Sequence, residues 1–159
     1  MDPEAQATEN GGSPEQLAPV GKLMISYEEF GDTTDETIVL IMGLGMQMLG
    51  WDEEFCTALA ARGFHVVRFD NRDVGLSSKL SGRVNIPAGM AGLTGSAVYT
   101  LDEMAGDTAG LLDHLGLESA HIVGASLGGM IGQQLAANHP RRVSSLVSIM
   151  SNTGKRKLS

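Results

Sequence analysis

Ala120-His121-Ile122-Val123-Gly124-Ala125-Ser126-Leu127-Gly128-Gly129-Met130-Ile131-Gly132-Gln133 is the stretch whose reading decides the fold. A short apolar run, readable as a buried strand, ends in Gly-Ala-Ser-Leu-Gly, and a helical pattern begins at once. The order is strand, tight turn, helix, the setting that a Gly-x-Ser-x-Gly turn requires. Such a turn holds Ser126 in a strained conformation, so Gly124 and Gly128 must be small to let strand and helix pass. Ser126 then stands at the positive N-terminal end of the next helix, where a developing oxyanion is favoured. With 21 glycines in the chain, the five-residue pattern alone carries little. Its place between this strand and this helix carries the reading.

Working outward, the alternation repeats. Thr37 to Met42 is a continuous apolar run, which predicts a strand buried on both faces of a parallel sheet. Asp52 can cap a helix through Arg62, with Glu53 and Glu54 in its first turn and Gly63 at its exit. Phe64 to Phe69 is the next strand. Thr100 and Glu103 form a capping box, and Leu101, Met104, Thr108, Leu111, Leu112 and Leu115 follow on one helical face that Gly116 ends. After the central stretch, His139-Pro140 stops the helix, and Val143 to Met150 is a last strand. This alternation predicts an α/β fold, a mostly parallel sheet flanked by helices and joined by right-handed crossovers. Leu23 to Glu28 partly alternates, as a half-buried strand does. Residues 1–20 have no periodicity and are expected as a disordered leader, leaving 21–159 as the folded domain. Lys79 to Tyr99 is a Gly/Ala/Ser-rich connection, readable as a plain surface connector or as a pocket wall.

Composition narrows the function. The net charge of −8 argues against nucleic acid as a partner, because phosphate binding needs a basic face, and Lys155-Arg156-Lys157 is too short to reverse it. The single cysteine, Cys56, cannot form an intrachain disulfide and reads as core, as do the nine methionines. No apolar run reaches the ~20 residues that span a bilayer, and the first residues lack both the charged and the apolar region of a signal peptide. A cytoplasmic protein without membrane contact is the expectation. The histidines are dispersed and no phosphate loop or dinucleotide fingerprint occurs, so neither metal nor cofactor is implied.

Three further motifs fall in order around the serine: Met42-Gly43-Leu44-Gly45 with Gln47 and Trp51, Phe69-Asp70-Asn71-Arg72-Asp73-Val74-Gly75-Leu76-Ser77, and Ser148-Ile149-Met150-Ser151. With the central stretch they resemble the alpha/beta-hydrolase superfamily, and in detail its aclacinomycin methylesterase-like subgroup, over residues 22–157. The resemblance implies carboxylic-ester hydrolysis with Ser126 as nucleophile and the backbone N–H groups of Leu44 and Leu127 as oxyanion hole. Met42 stands where the family usually has His, which removes no N–H, and Asp73 stands at a Gly position. A serine in the turn disfavours the alkyl-enzyme chemistry of relatives with Asp there. Asp70 and Arg72 are expected to fasten a loop rather than to do chemistry.

A serine hydroxyl needs a base. His65 and His121 begin strands, at the opposite edge of the sheet from Ser126; His139 is thirteen residues down the helix and His114 ends a helix running back to that far edge. None is expected within hydrogen-bond reach. No Asp or Glu follows Ser126. The family order puts acid and His later, so the sequence reads as an N-terminal portion of the fold, truncated after the strand that follows the nucleophile helix and inactive alone. Once completed, its partner would be a small-molecule ester. The alternative is a non-catalytic interaction fragment that pairs, or self-associates, through Val143 to Met150 as an exposed edge strand.

Overall fold

The computed structural model describes residues 11–80 and 99–153. Within them lie β1 (Gln16–Val20), β2 (Leu23–Phe30), β3 (Glu36–Ile41), α1 (Glu53–Ala60), β4 (Phe64–Phe69), α2 (Leu101–His114), β5 (Ala120–Ala125), α3 (Leu127–Asn138) and β6 (Val143–Ile149). The strands form one sheet in the order β1-β2-β4-β3-β5-β6. β3 pairs in parallel with β4 and β5, and β5 in parallel with β6, whereas β2 is antiparallel to both β1 and β4. The expected mostly parallel α/β sheet is therefore present.

β3 is central because five of its six residues are apolar or β-branched and all five are buried. Val39 and Ile41 join Val67, Phe69 and Ile122 on the face covered by α2 and α3, where Met104, Leu111, Leu112, Ile131 and Leu135 close the core. Ile38 and Leu40 face the other way, packing with Val66, Phe30, Trp51 and Cys56 beneath α1. Each such aliphatic side chain gains roughly 1.5–3 kcal/mol from burial. The helix ends follow their sequence signals. Asp52 accepts from Glu54 N–H at 2.8 Å, and both bonds of the Thr100–Glu103 capping box are made. Gly116, at φ 69°, turns the chain out of α2, and Pro140 follows the end of α3.

Three expectations change. Gln16–Val20, placed in the leader by sequence, is strand β1: Ala18 and Val20 are buried, and all five residues register with β2. A five-residue strand with a proline is too short to show periodicity, and pairing with β2 supplies what the local pattern lacks. The rest of the predicted leader begins in residues 1–10, outside the described residues, as do 81–98 of the long connection and the Lys155–Lys157 run. β5 alternates buried and half-exposed residues instead of being buried throughout, because α1 packs over β4 and β2 and leaves the His121–Val123–Ala125 side open. β6 ends at Ile149, and Met150 takes a positive φ of 49°. No helix among the described residues is long and apolar enough to cross a membrane.

Candidate active site

Ser126 occupies the turn between β5 and α3 with φ 53° and ψ −116°, a region that a residue with a Cβ rarely adopts. The close crossing of strand and helix explains the neighbouring glycines. A Cβ on Gly124 would meet the backbone of Gly128 and Gly129, and one on Gly128 would meet the carbonyls of Ile41 and Met42. The strained residue is pinned through its backbone. Its N–H donates to Ile149 O at 2.8 Å, and its carbonyl accepts from Gly129 N–H at 3.0 Å and from Ser151 Oγ at 2.8 Å. Gln133 braces the same segment by donating to Ser148 Oγ and Asn152 O. The serine side chain is exposed at the N-terminus of α3.

Because β3 and β5 are parallel neighbours, with Ile41 opposite Gly124, their carboxyl ends open side by side. The loop leaving β3 thus runs past the serine. A Cβ on Gly43 would sit 3.4 Å from Ser126 Cβ and 4.0 Å from its Oγ. Leu44, next in the loop, is 40% exposed, and Leu127 is the first residue of α3. The loop closes on itself through Met46 N–H to Gly43 O, 3.2 Å, and is tied to the end of β4. Asn71 Nδ2 donates to Met42 O at 3.1 Å, and Asp70 Oδ1 accepts from Met48 N–H at 2.7 Å.

Asp70 and Arg72 do fasten loops, but not to each other. Asp70 also accepts from Leu76 N–H, while Arg72 forks onto Asp107 of α2 at 2.7 and 2.8 Å and lies over the Tyr99 ring. The hydrogen bonds it donates to Asp107 hold the Arg72 guanidinium above its ordinary pKa, and burial pushes the Tyr99 hydroxyl up to about 12. Asp107, Asn71, Ser151 and Gln133 were missed by sequence reasoning. Only Asp107 carried a signal: it falls three residues after Met104 and four before Leu111, an acid on the buried face of α2.

The histidines stay away from the serine. His65 is buried between Thr37 Oγ1 at 2.9 Å and Glu29 Oε1 at 3.0 Å; that bond holds the Glu29 carboxyl below the usual range. His121 sits opposite Ile38 and bonds Ser145 Oγ and Glu36, five residues from Ser126 and so about 16 Å along the strand. His114, the last residue of α2, lies against Tyr27, and His139 caps the far end of α3, roughly 20 Å from its start. Among the described residues no His/Cys/Asp/Glu group is arranged to hold a metal ion.

Comparison with known proteins agrees with this fold. The model of the alpha/beta hydrolase fold family matches residues 36–157. The rhodomycin D methylesterase DauP of a Streptomyces species is 33% identical over 137 residues, covering 86% of this chain and 42% of that protein. The putative carbamate hydrolase RutD of Variovorax paradoxus is 34% identical, covering 79% of this chain and 41% of the relative. Among solved structures, a bacterial membrane phospholipase A superposes with a TM-score of 0.74 at 31% identity, over 90% of this chain and 41% of that one. The chain thus spans about two fifths of the length of these relatives. On the family match, the shared sequence and the strand–turn–helix around Ser126, the chain belongs to the alpha/beta hydrolase fold family.

Proposed function

We propose that this chain carries the nucleophile and oxyanion donors of a serine hydrolase acting on carboxylic esters. The observation that carries the reading is Ser126 itself: exposed, at a helix N-terminus, and held at a positive φ that costs stability. In this mechanism Ser126 Oγ attacks the ester carbonyl and the carbonyl oxygen becomes an oxyanion. The N–H groups of Leu44 and Leu127 donate hydrogen bonds to that oxyanion, each worth roughly 2.7–4 kcal/mol in the transition state. Collapse expels the alcohol and leaves an acyl-serine, which water then hydrolyses. A methylesterase and a carbamate hydrolase among the relatives support a small-molecule substrate with an acyl–heteroatom bond. The proton acceptor is none of the four histidines, so the base and its orienting acid must be supplied by residues other than those described.

The test is serine labelling. An alkyl fluorophosphonate should phosphonylate Ser126 slowly, and faster with added imidazole: the Oγ–P bond forms, P–F breaks, fluoride leaves, and imidazole takes the proton. Peptide mass spectrometry should place the adduct on Ser126 and find none in Ser126→Ala. Adducts spread over other serines, with none on Ser126, would refute the reading. Without imidazole, the chain should hydrolyse a p-nitrophenyl ester no faster than Ser126→Ala.

A second reading rests on β6, one of the two edge strands of the sheet among the described residues, where Val147 is 50% exposed. Two copies could pair through that edge. Sedimentation should then show a dimer that Val147→Lys dissociates; a monomer at all concentrations would exclude it.

A further inference from the structure

The loop beside Ser126 is held at both ends by two consecutive residues just past the end of another strand. β4 ends at Phe69, and the next two side chains turn toward the Gly43–Gln47 loop. Asn71, 4% exposed, donates its amide to the carbonyl of Met42, the residue before the loop. Asp70, 3% exposed, takes the N–H of Met48, the residue after it. We propose that Asp70 and Asn71 are positioning residues: together they fix the loop so that Leu44 N–H is aimed at the oxyanion forming on an ester attacked by Ser126. This rests on the hydrolase reading above.

The physical case has three parts. First, the loop has little else to hold it. Its internal bond is a single Met46-to-Gly43 turn, and Leu44 and Met46 are 40% and 52% exposed. Donor direction in such a loop must come from its ends. Secondly, the two clamps act on opposite polarities. An amide donor takes a loop carbonyl and a carboxylate takes a loop N–H, and a carboxylate, which only accepts, could not do what Asn71 does. A peptide plane is rigid, so fixing the Met42 carbonyl also fixes the direction of Gly43 N–H and the start of the path to Leu44.

Thirdly, Asp70 is itself over-determined. Its N–H donates to Ser26 O at 2.9 Å, its carbonyl accepts from Ser77 Oγ at 2.6 Å, and its second carboxylate oxygen accepts from Leu76 N–H at 3.3 Å. Gly75, at φ 51°, presses so closely on that carboxylate that a Cβ there would collide with it. A side chain locked on this scale suits a role in which small displacements are costly, since an oxyanion donor works only within hydrogen-bond distance of the developing charge.

The decisive variant is Asn71→Asp. It keeps the shape of the side chain but replaces the donor by an acceptor facing the Met42 carbonyl. If Asn71 only fills space, this variant should lose global stability through its buried carboxylate but leave the loop amides no less protected relative to their neighbours. If it aims the loop, two readouts move together. Hydrogen exchange at the Met46 and Met48 amides should quicken at least about tenfold relative to the β3 and α2 amides. Fluorophosphonate labelling of Ser126 in the presence of imidazole should slow at least about tenfold, as partial loss of an oxyanion donor requires. Should Asn71→Asp fail to fold, Asn71→Ala serves instead: it removes the donor to the Met42 carbonyl without burying a second carboxylate, and should give the same two shifts. Unchanged exchange at Met46 and Met48 relative to the β3 and α2 amides overturns the clamp. Faster exchange with unchanged labelling overturns the positioning role. An absence of Ser126 labelling in the parent is a different failure: it refutes the hydrolase reading, and the oxyanion role of Leu44 with it.

Discussion

Replacing Ser126 with glycine should make this protein more stable. Its φ of 53° and ψ of −116° place a Cβ-bearing residue where strain costs on the order of 1–3 kcal/mol. Glycine removes that cost and gives back about 0.5–1 kcal/mol through the greater freedom of the unfolded chain. Little else is lost. The serine side chain is exposed, and the bonds that pin the turn run through the backbone N–H and carbonyl, which glycine keeps. The net expectation is a gain of about 1 kcal/mol, or a rise in Tm of roughly 2–4 °C for a chain of this size. Ser126→Ala is the control, because alanine retains the Cβ and should sit near the parent. Urea denaturation and thermal melts of the three proteins give the comparison. A Ser126→Gly protein no more stable than Ser126→Ala would mean that the turn stores no strain, and the main argument for Ser126 as a functional residue would fall.

Two further outcomes are expected. Asp107→Ala leaves the Arg72 side chain, 9% exposed, buried without its carboxylate, and should cost about 3–5 kcal/mol in urea denaturation; Asp107→Asn, which keeps one acceptor, should cost less. Glu29 is held below the ordinary carboxylate range, first by its hydrogen bond with His65 and against the opposing effect of burial. A depressed folded-state pKa stabilises the fold above the unfolded value of about 4.3 and loses that contribution as pH falls through and below it. Glu29→Gln should therefore flatten the fall in stability below about pH 5, and a slope identical to the parent's would show that the pair contributes nothing.

Read alone, the chain declared its local structure wherever the signal was local. The Phe64–Phe69 and Ala120–Ala125 strands, the Thr100 capping box and the start of α3 after Ser126 depend on neighbouring residues, and the sequence places each of them. So did the strained turn, because only small residues at Gly124 and Gly128 permit its crossing. What depended on partners far along the chain stayed hidden. β1 exists because β2 pairs with it, and Asp107 is buried because Arg72 arrives from 35 residues away. Asn71 looked like one polar loop residue among several until β4 and β3, lying in parallel, brought it to the Met42 carbonyl. The sequence by itself determined which serine is strained and which elements flank it, since those follow from steric limits within a few residues. Tertiary structure alone decided what stands beside that serine, because parallel pairing of β3 with β5 and β4 is a long-range choice that no local pattern encodes.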